Sequence, residues 1–134
     1  MSTLDEIVVT NLPAVDPLVL AELSEIQQNG RPGFIQRVIK LYLQAAADLV
    51  EELQSASANN EPAVLYRASH TLKPCSSSVG ASSLAALCEA LETLARSDCV
   101  PDPAARVEAI VDEYKRVEAA LAGMLGGEIT GLSW

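Results

Sequence analysis

The side chain best suited to chemistry in this sequence is that of His70, the chain's one histidine. Arg67 lies three residues before it and Lys73 three residues after it. Because residues three apart share a face of an α-helix, a helix through this segment would place both cations beside the imidazole. A solvent-exposed imidazole is substantially neutral near pH 7. Such a ring attacks activated phosphoryl groups through its free nitrogen, and Lys73 would hold a phosphoryl oxygen as a point charge.

The helical periodicity around His70 predicts that its side chain faces water. At about 100° per residue, the apolar side chains of the segment fall within about 40° of the opposite side: Ala68, Leu72, Cys75 and Val79. The residues on the histidine side are Ala63, Tyr66, Arg67, Lys73, Pro74 and Ser77. This orientation excludes a core histidine. An ordinary surface histidine also fits it, but the basic neighbourhood in a chain of net charge −9 favours a functional role.

Other chemistries find little support in the sequence. Cys75, Cys88 and Cys99 show neither the paired close spacing of zinc ligands nor a C-x-x-C redox motif. Cys75 also lies about 140° around the helix from His70. We find no nucleophile elbow, Walker A motif or kinase glycine loop, so the chain is not expected to bind ATP or phosphorylate itself. The charged residues elsewhere are interpreted as solvated helix faces.

Composition indicates the class of fold that must position these residues. The chain has 134 residues, enough for one domain, and 49% of them are hydrophobic but only 4% are aromatic. An aliphatic core of this kind favours an all-α fold. The net charge of −9 argues against nucleic-acid binding, and no apolar run is long enough to span a membrane. The N-terminus does not resemble a signal peptide, and an odd number of cysteines predicts reduced thiols and a cytoplasmic protein.

Start and stop signals divide the chain into five predicted helices joined by short loops. Candidate caps and first-turn prolines mark helix starts at Asp16-Pro17, Glu61-Pro62, Ser82 or Ser83, and Asp102-Pro103. Glycines mark helix ends at Asn29-Gly30, Gly80 and Gly126-Gly127. Short connections predict an antiparallel up-down four-helix bundle with an additional short N-terminal helix. The predicted boundaries are an N-terminal arm over residues 1–15, the bundle over 16–125 and a tail over 126–134.

The helix predicted from about Phe34 to Ser57 carries more apolar surface than one packing face requires. Its main stripe is predicted to consist of Phe34, Val38, Leu41, Tyr42, Ala45, Leu49 and Leu53. Ile39 and Leu43 lie to the side of that stripe. They are candidates either for a patch that docks a partner protein or for contact with another helix of the bundle.

From His70 to Ala81 the chain reads HTLKPCSSSVGA. This segment resembles the signature of histidine-containing phosphotransfer (Hpt) domains, H-x-L-K-G-[SA]-[SA]-x-x-[LIVM]-G-A. The resemblance extends to FIQRVIKLYL, which begins at Phe34 and is similar to the family's second helix, and to the segment from Leu84 to Arg96, which is similar to its fourth. It covers roughly residues 16–125.

The resemblance implies a four-helix bundle that carries a phosphoryl group, rather than an autonomous kinase. Members accept the group from a phospho-aspartate on a response-regulator receiver domain or a hybrid sensor kinase and pass it to another receiver. By position, His70 would be the phosphorylated nucleophile and Lys73 would steady the phosphoryl group. Side chains expected to contact the partner are Arg67, Pro74, Ser77, Ile39 and Leu43. No metal or cofactor of its own is expected, since the partner's receiver site supplies Mg²⁺, and a monomer is expected.

Pro74 departs from the family pattern, which usually has glycine at this position. A proline inside a helix removes a backbone hydrogen bond and clashes with the carbonyl four residues earlier, at a cost of roughly 3 kcal/mol. That carbonyl belongs to His70, so we expect a local bend or a widened turn beside the histidine. Impaired transfer would leave a second function, a non-catalytic module that binds a receiver or sensor kinase and regulates it by occupancy. A third is a structural bundle without a signalling role.

Overall fold

The computed structural model describes residues 14–28 and 33–124, and every regular element in those two stretches is an α-helix. The helices are α1 (Pro17–Gln28), α2 (Phe34–Ala58), α3 (Pro62–Ser78), α4 (Ser82–Arg96) and α5 (Pro103–Met124). The predicted all-α class is confirmed. The helix ends predicted at Asn29-Gly30 and Gly126-Gly127 lie outside the described residues, as do residues 1–13 of the predicted arm and the whole predicted tail.

Helices α2 to α5 form a closed ring of neighbours. The contact between α3 and α4 is the most extensive, and contacts of α2 with α3, α4 with α5 and α2 with α5 complete the ring, while α1 packs on α2. Connections of only a few residues join α2 to α3, α3 to α4 and α4 to α5, which makes these neighbours antiparallel. The predicted four-helix bundle with an additional N-terminal helix is confirmed. No helix in the described stretches combines the length and apolar character needed to cross a bilayer.

The core lies between the four long helices and is almost entirely aliphatic. Its largest fully buried side chains are Ile39, Leu53, Leu65, Leu72, Leu84, Leu91, Ile110 and Leu121. Burying each such side chain contributes roughly 1.5–3 kcal/mol to the free energy of folding. All four long helices supply members of this set, so the core holds α3 and α4 in a fixed rotation relative to each other.

The predicted helix starts are correct at the two aspartates. The Asp16 carboxylate accepts a hydrogen bond from the Leu18 N–H at 2.9 Å, and the Asp102 carboxylate accepts one from the Ala105 N–H at 3.4 Å. The prediction that Ser82 or Ser83 caps α4 is wrong. The cap position is occupied by Ala81, whose side chain has no acceptor, and Ser82 is already the first helical residue.

The apolar stripe of α2 is rotated relative to the sequence prediction. The buried residues are Ile39, Tyr42, Leu43, Ala46, Val50, Leu53 and Ala56, whereas the Leu41 side chain is 61% exposed. Two apolar stripes overlap on this helix, and α3 and α5 pack against the one that contains Ile39 and Leu43. The docking role predicted for these two residues is therefore wrong, because they are 0% and 8% exposed. Their alternative interpretation, contact within the bundle, is confirmed.

Gly80 permits both the turn between α3 and α4 and the seating of α1. Its φ of +82° lies in the left-handed region that favours glycine. Its carbonyl accepts a hydrogen bond from the Asp16 N–H at 2.7 Å. A Cβ at this position would lie 3.0 Å from the backbone nitrogen of Asp16 and 3.1 Å from Cβ of Val19. The first turn of α1 is thus anchored at the end of the α3–α4 hairpin.

Candidate functional site

His70 lies in the middle of α3 and faces solvent, as the periodicity predicted. The helix buries the opposite face, made of Leu65, Ala68, Ser69, Leu72 and Ser76. The His70 side chain is 58% exposed. Because α3 turns a single apolar face toward the core, its helical periodicity alone predicts the orientation of the imidazole.

A buried carboxylate on the neighbouring helix organises the site. Glu92 of α4 has a side chain that is only 4% exposed, and it lies on the buried face of that helix with Cys88 and Leu91. Its Oε2 lies 3.0 Å from Nδ1 of His70, and its Oε1 lies 2.9 Å from Nζ of Lys73. The guanidinium of Arg96, one turn further along α4, donates to Oε2 at 3.2 Å. Three basic side chains therefore converge on one carboxylate.

These contacts keep the carboxylate ionised. The hydrogen bond from His70, followed by the one from Lys73, lowers the pKa of Glu92 below its ordinary value. The same contact with Glu92 raises the pKa of Lys73. An ionised carboxylate can only accept hydrogen bonds, so the proton of the neutral imidazole must sit on Nδ1. Nε2 is then the nitrogen with a free lone pair.

Two further side chains contact this arrangement. The Tyr66 ring, one turn before His70 on α3, stacks on the imidazole with centroids 5.6 Å apart and an angle of 13° between the planes. The Arg96 guanidinium carbon lies 5.9 Å from the centroid of the Tyr66 ring, within the range of a cation–π contact. The histidine is thus held at one ring atom and along one ring face.

The structure brings some of the sequence-predicted site residues together and separates others. Lys73, Pro74 and Ser77 line one side of an open depression of about 720 Å³ between the end of α3 and the start of α4. Arg67 is exposed on α3 and does not join the cluster around Glu92. Ile39 and Leu43 belong to the core, as described above. Of the two cations predicted beside the imidazole, Lys73 joins the cluster around Glu92, and Arg96, which was not predicted, joins it as well.

Pro74 does not interrupt the helix. The segment from Pro62 to Ser78 is α-helical throughout, with Pro74 inside it and exposed. The widened turn expected beside His70 is therefore absent, and the alternative of a local bend stays a prediction. The pyrrolidine ring lies on the solvent side of α3, at the edge of the depression beside Lys73.

Sequence reasoning missed Glu92, Tyr66 and Arg96 as members of the site. The interpretation of charged residues as solvated helix faces is wrong for Glu92, whose side chain is buried. Its position carried a usable signal, because it falls among the apolar residues of α4, four residues after Cys88 and three before Ala95. A single acid on an apolar stripe must find buried partners. Within residues 14–28 and 33–124, no group of three or more His, Cys, Asp or Glu side chains is arranged to hold a metal ion.

Comparison with known proteins gives one family and one fold. The family model of the Hpt domain matches residues 37–120. Among solved structures, the chain is similar to histidine-containing phosphotransfer protein B (HptB) from Pseudomonas aeruginosa PAO1, with a TM-score of 0.74 and 22% sequence identity. That match covers 85% of this chain and 96% of the other. The search of curated proteins finds no match.

Proposed function

The chain belongs to the Hpt domain family, and from that premise we propose that it accepts a phosphoryl group on Nε2 of His70 from a receiver-domain phospho-aspartate and passes it to another receiver. Hpt domains act in phosphorelays together with receiver domains and kinases. The observation that carries the proposal is the bond between Nδ1 of His70 and Glu92, which leaves Nε2 as the free nitrogen of an exposed ring.

Each bond formed in the proposed transfer step is matched by a bond that breaks. The Nε2 lone pair attacks the phosphorus of the aspartyl phosphate, the N–P bond forms, and the P–O bond to the aspartate breaks. The aspartate leaves as a carboxylate, and Nδ1 keeps its proton. The phosphorylated ring then carries a positive charge, which the Glu92 carboxylate offsets across 3.0 Å. Passing the group to a second receiver reverses these bond changes.

Lys73 is proposed to stabilise the phosphoryl oxygens. Phosphoryl transfer passes through a loose, in-line transition state in which positioning and charge stabilisation dominate. The Lys73 ammonium lies one turn from His70, and its side chain is 31% exposed. An ammonium has three donors, so it can keep its contact with Glu92 and still bind a phosphoryl oxygen. Mg²⁺ would be supplied by the acidic pocket of the receiver, and the chain is proposed to use no cofactor of its own.

The partner is proposed to dock on exposed parts of α2 and α3. Pro74 and Ser77 border the depression beside Lys73. Leu41 replaces the two mispredicted core residues as the apolar contact of α2, because its side chain is 61% exposed. The hydrogen bond between Tyr42 and Ser76, 2.9 Å long, sets this turn of α2 level with the last turns of α3. Arg67 would add positive charge to the side that meets an acidic receiver.

A direct labelling experiment tests the proposal. A panel of purified receiver domains is charged with labelled acetyl phosphate and Mg²⁺, and each is mixed with the chain. We expect acid-labile, alkali-stable label on the wild type and none on His70→Gln. We expect slower transfer to Lys73→Ala, with helicity unchanged by circular dichroism. Label on His70→Gln would disprove the assignment of the nucleophile.

If no phosphoryl transfer is seen, the same experiment distinguishes the alternative functions. A non-catalytic module would bind a receiver with the same affinity as wild type and as His70→Gln, yet take no label in either form. A structural bundle would bind none of the receivers. Binding by isothermal titration calorimetry, run beside the labelling assay, distinguishes the three results.

A further inference from the structure

Tyr66 is the aromatic neighbour of the proposed nucleophile. We propose that Tyr66 is a positioning residue for phosphoryl transfer: its ring, stacked on the imidazole, fixes the plane of His70 so that Nε2 is aimed at the incoming phosphorus. The proposal rests on the proposed function and deepens it. It stands on the parallel contact of the two rings, whose centroids are 5.6 Å apart and whose planes differ by 13°.

The hydrogen bond to Glu92 cannot fix the ring plane by itself. It restrains one ring atom, Nδ1, at 3.0 Å from Oε2, and the exposed ring can still rock by rotation about its two side-chain bonds within the tolerance of a single hydrogen bond. The Nε2 lone pair lies in the ring plane, so every tilt of the ring turns the line of attack. In-line transfer depends steeply on such alignment, since a misplacement of about 1 Å can lower a rate on the order of 100-fold. A parallel contact along one ring face restricts this rocking.

Tyr66 is itself held in place by the same cluster. Its ring is partly buried against the core. The Arg96 guanidinium carbon lies 5.9 Å from the ring centroid, and the same guanidinium donates to Glu92 at 3.2 Å. The contacts therefore form a closed loop that runs from Glu92 to Arg96, Tyr66, His70 and back to Glu92. The stack covers a ring face and not the ring edge, so 58% of the His70 side chain stays exposed for the partner.

Two substitutions distinguish the effect of the Tyr66 aromatic ring from the effect of its size. Tyr66→Phe keeps the aromatic face, whereas Tyr66→Leu keeps an apolar side chain with good helix propensity and removes the face. Tyr66→Met serves the same purpose if the leucine variant fails to fold by circular dichroism. Because the chain has one histidine, its ring gives a single set of NMR signals. We expect the upfield ring-current shift of these protons in wild type and Tyr66→Phe, and its loss in Tyr66→Leu.

Single-turnover transfer measures the consequence for the reaction. The probe is the acetyl-phosphate-charged receiver that reacts fastest with wild type, used over a range of concentrations. We expect the maximal rate to fall about tenfold in Tyr66→Leu and to stay within about twofold of wild type in Tyr66→Phe. The receiver concentration that gives half of the maximal rate should stay the same in all three proteins.

Each contrary result has one meaning. An unchanged maximal rate in Tyr66→Leu overturns the positioning role. A loss in Tyr66→Phe as large as in Tyr66→Leu assigns the effect to the hydroxyl and also overturns it. A change confined to the half-saturating concentration makes Tyr66 a contact to the receiver instead. Absence of any transfer by the wild type contradicts the proposed function itself, which a defect limited to the Tyr66 variants cannot do.

Discussion

Helix α3 carries two polar clusters that differ in charge and in depth. On its solvent side, His70 and Lys73 meet the Glu92 carboxylate across from α4. On its core side, Ser76 and Tyr42 share a buried hydrogen bond of 2.9 Å between their hydroxyls. A buried ion is costly unless it is paired, as Glu92 is, whereas a satisfied neutral hydrogen bond in the core is not costly. Helix α3 therefore places His70 and Lys73, the partners of Glu92, where a receiver can reach them, and it contacts α2 through neutral groups.

The pKa shifts keep the groups of the first cluster charged and the phenols of the core neutral. Contact with His70 and Lys73 lowers the pKa of Glu92, and contact with Glu92 raises that of Lys73, so both groups stay charged. In the core, burial raises the pKa of Tyr42 and raises that of Tyr114 to about 12, so both phenols stay neutral. Tyr114 uses its hydroxyl to donate to the Leu43 carbonyl at 3.2 Å. We expect the first cluster to control transfer and the second to control stability.

The largest expected effect is that of Glu92→Leu on the transfer rate. Without the carboxylate, Nδ1 has no acceptor in the cluster and the ring is free to carry its proton on Nε2, the atom that must attack. We expect the maximal rate of transfer to fall about 100-fold, which corresponds to roughly 2.7 kcal/mol in the barrier. Stability in urea should change by about 1 kcal/mol or less, since the three basic partners keep access to water and leucine suits the buried face.

The matched control is Glu108→Leu on α5, which removes the same charge from an exposed position outside the cluster. It should transfer at the wild-type rate. Equal losses in both variants would show that net charge, and not the bond to His70, sets the rate. A wild-type rate in Glu92→Leu would remove Glu92 from the site.

The opposite behaviour is expected for Tyr42→Phe. This change leaves the Ser76 hydroxyl buried without its partner, and a buried unsatisfied group costs about 1–3 kcal/mol. We expect the free energy of unfolding in urea to drop by that amount while the transfer rate stays within about twofold of wild type. If Tyr42→Phe slowed transfer as strongly as Glu92→Leu, the two clusters would not be separate in function.

Much of the fold, but only part of the site, is predictable from the sequence, and the difference has a physical cause. His70 was oriented correctly because α3 has one apolar stripe. The same arithmetic failed for α2, where overlapping stripes left Ile39 on the wrong side. Glu92 was missed because its role depends on how α3 and α4 are rotated against each other, which only packing decides. The family motif points to His70 as the nucleophile of the proposed transfer, but it does not point to the carboxylate that holds the imidazole.

Pro74 lies between the two clusters, and its replacement tests how independent they are. Proline has no N–H for the His70 carbonyl, and it costs about 2 kcal/mol more than glycine inside a helix. Since Pro74 lies only four residues before the end of α3, we expect Pro74→Gly to raise the free energy of unfolding by about 1 kcal/mol, measured in urea. The maximal transfer rate at saturating receiver is expected to stay unchanged, because a lost docking contact would change only the half-saturating receiver concentration. A loss of stability would mean that the exposed pyrrolidine ring makes contacts that outweigh the missing bond.

The smallest expected effect is the acid sensitivity of the cluster around Glu92. Because the pKa of Glu92 is lowered in the folded chain, its stabilising contribution is present above the ordinary carboxyl value of about 4.3 and is lost as the pH falls through the folded-state value. The difference in unfolding free energy between wild type and Glu92→Gln should therefore shrink from pH 7 to pH 3, by about 1 kcal/mol or less. The difference between wild type and Tyr42→Phe should not change, because that phenol is neutral at both values. A difference for Glu92→Gln that stays constant from pH 7 to pH 3 would mean that the carboxylate contributes through packing and not through its charge.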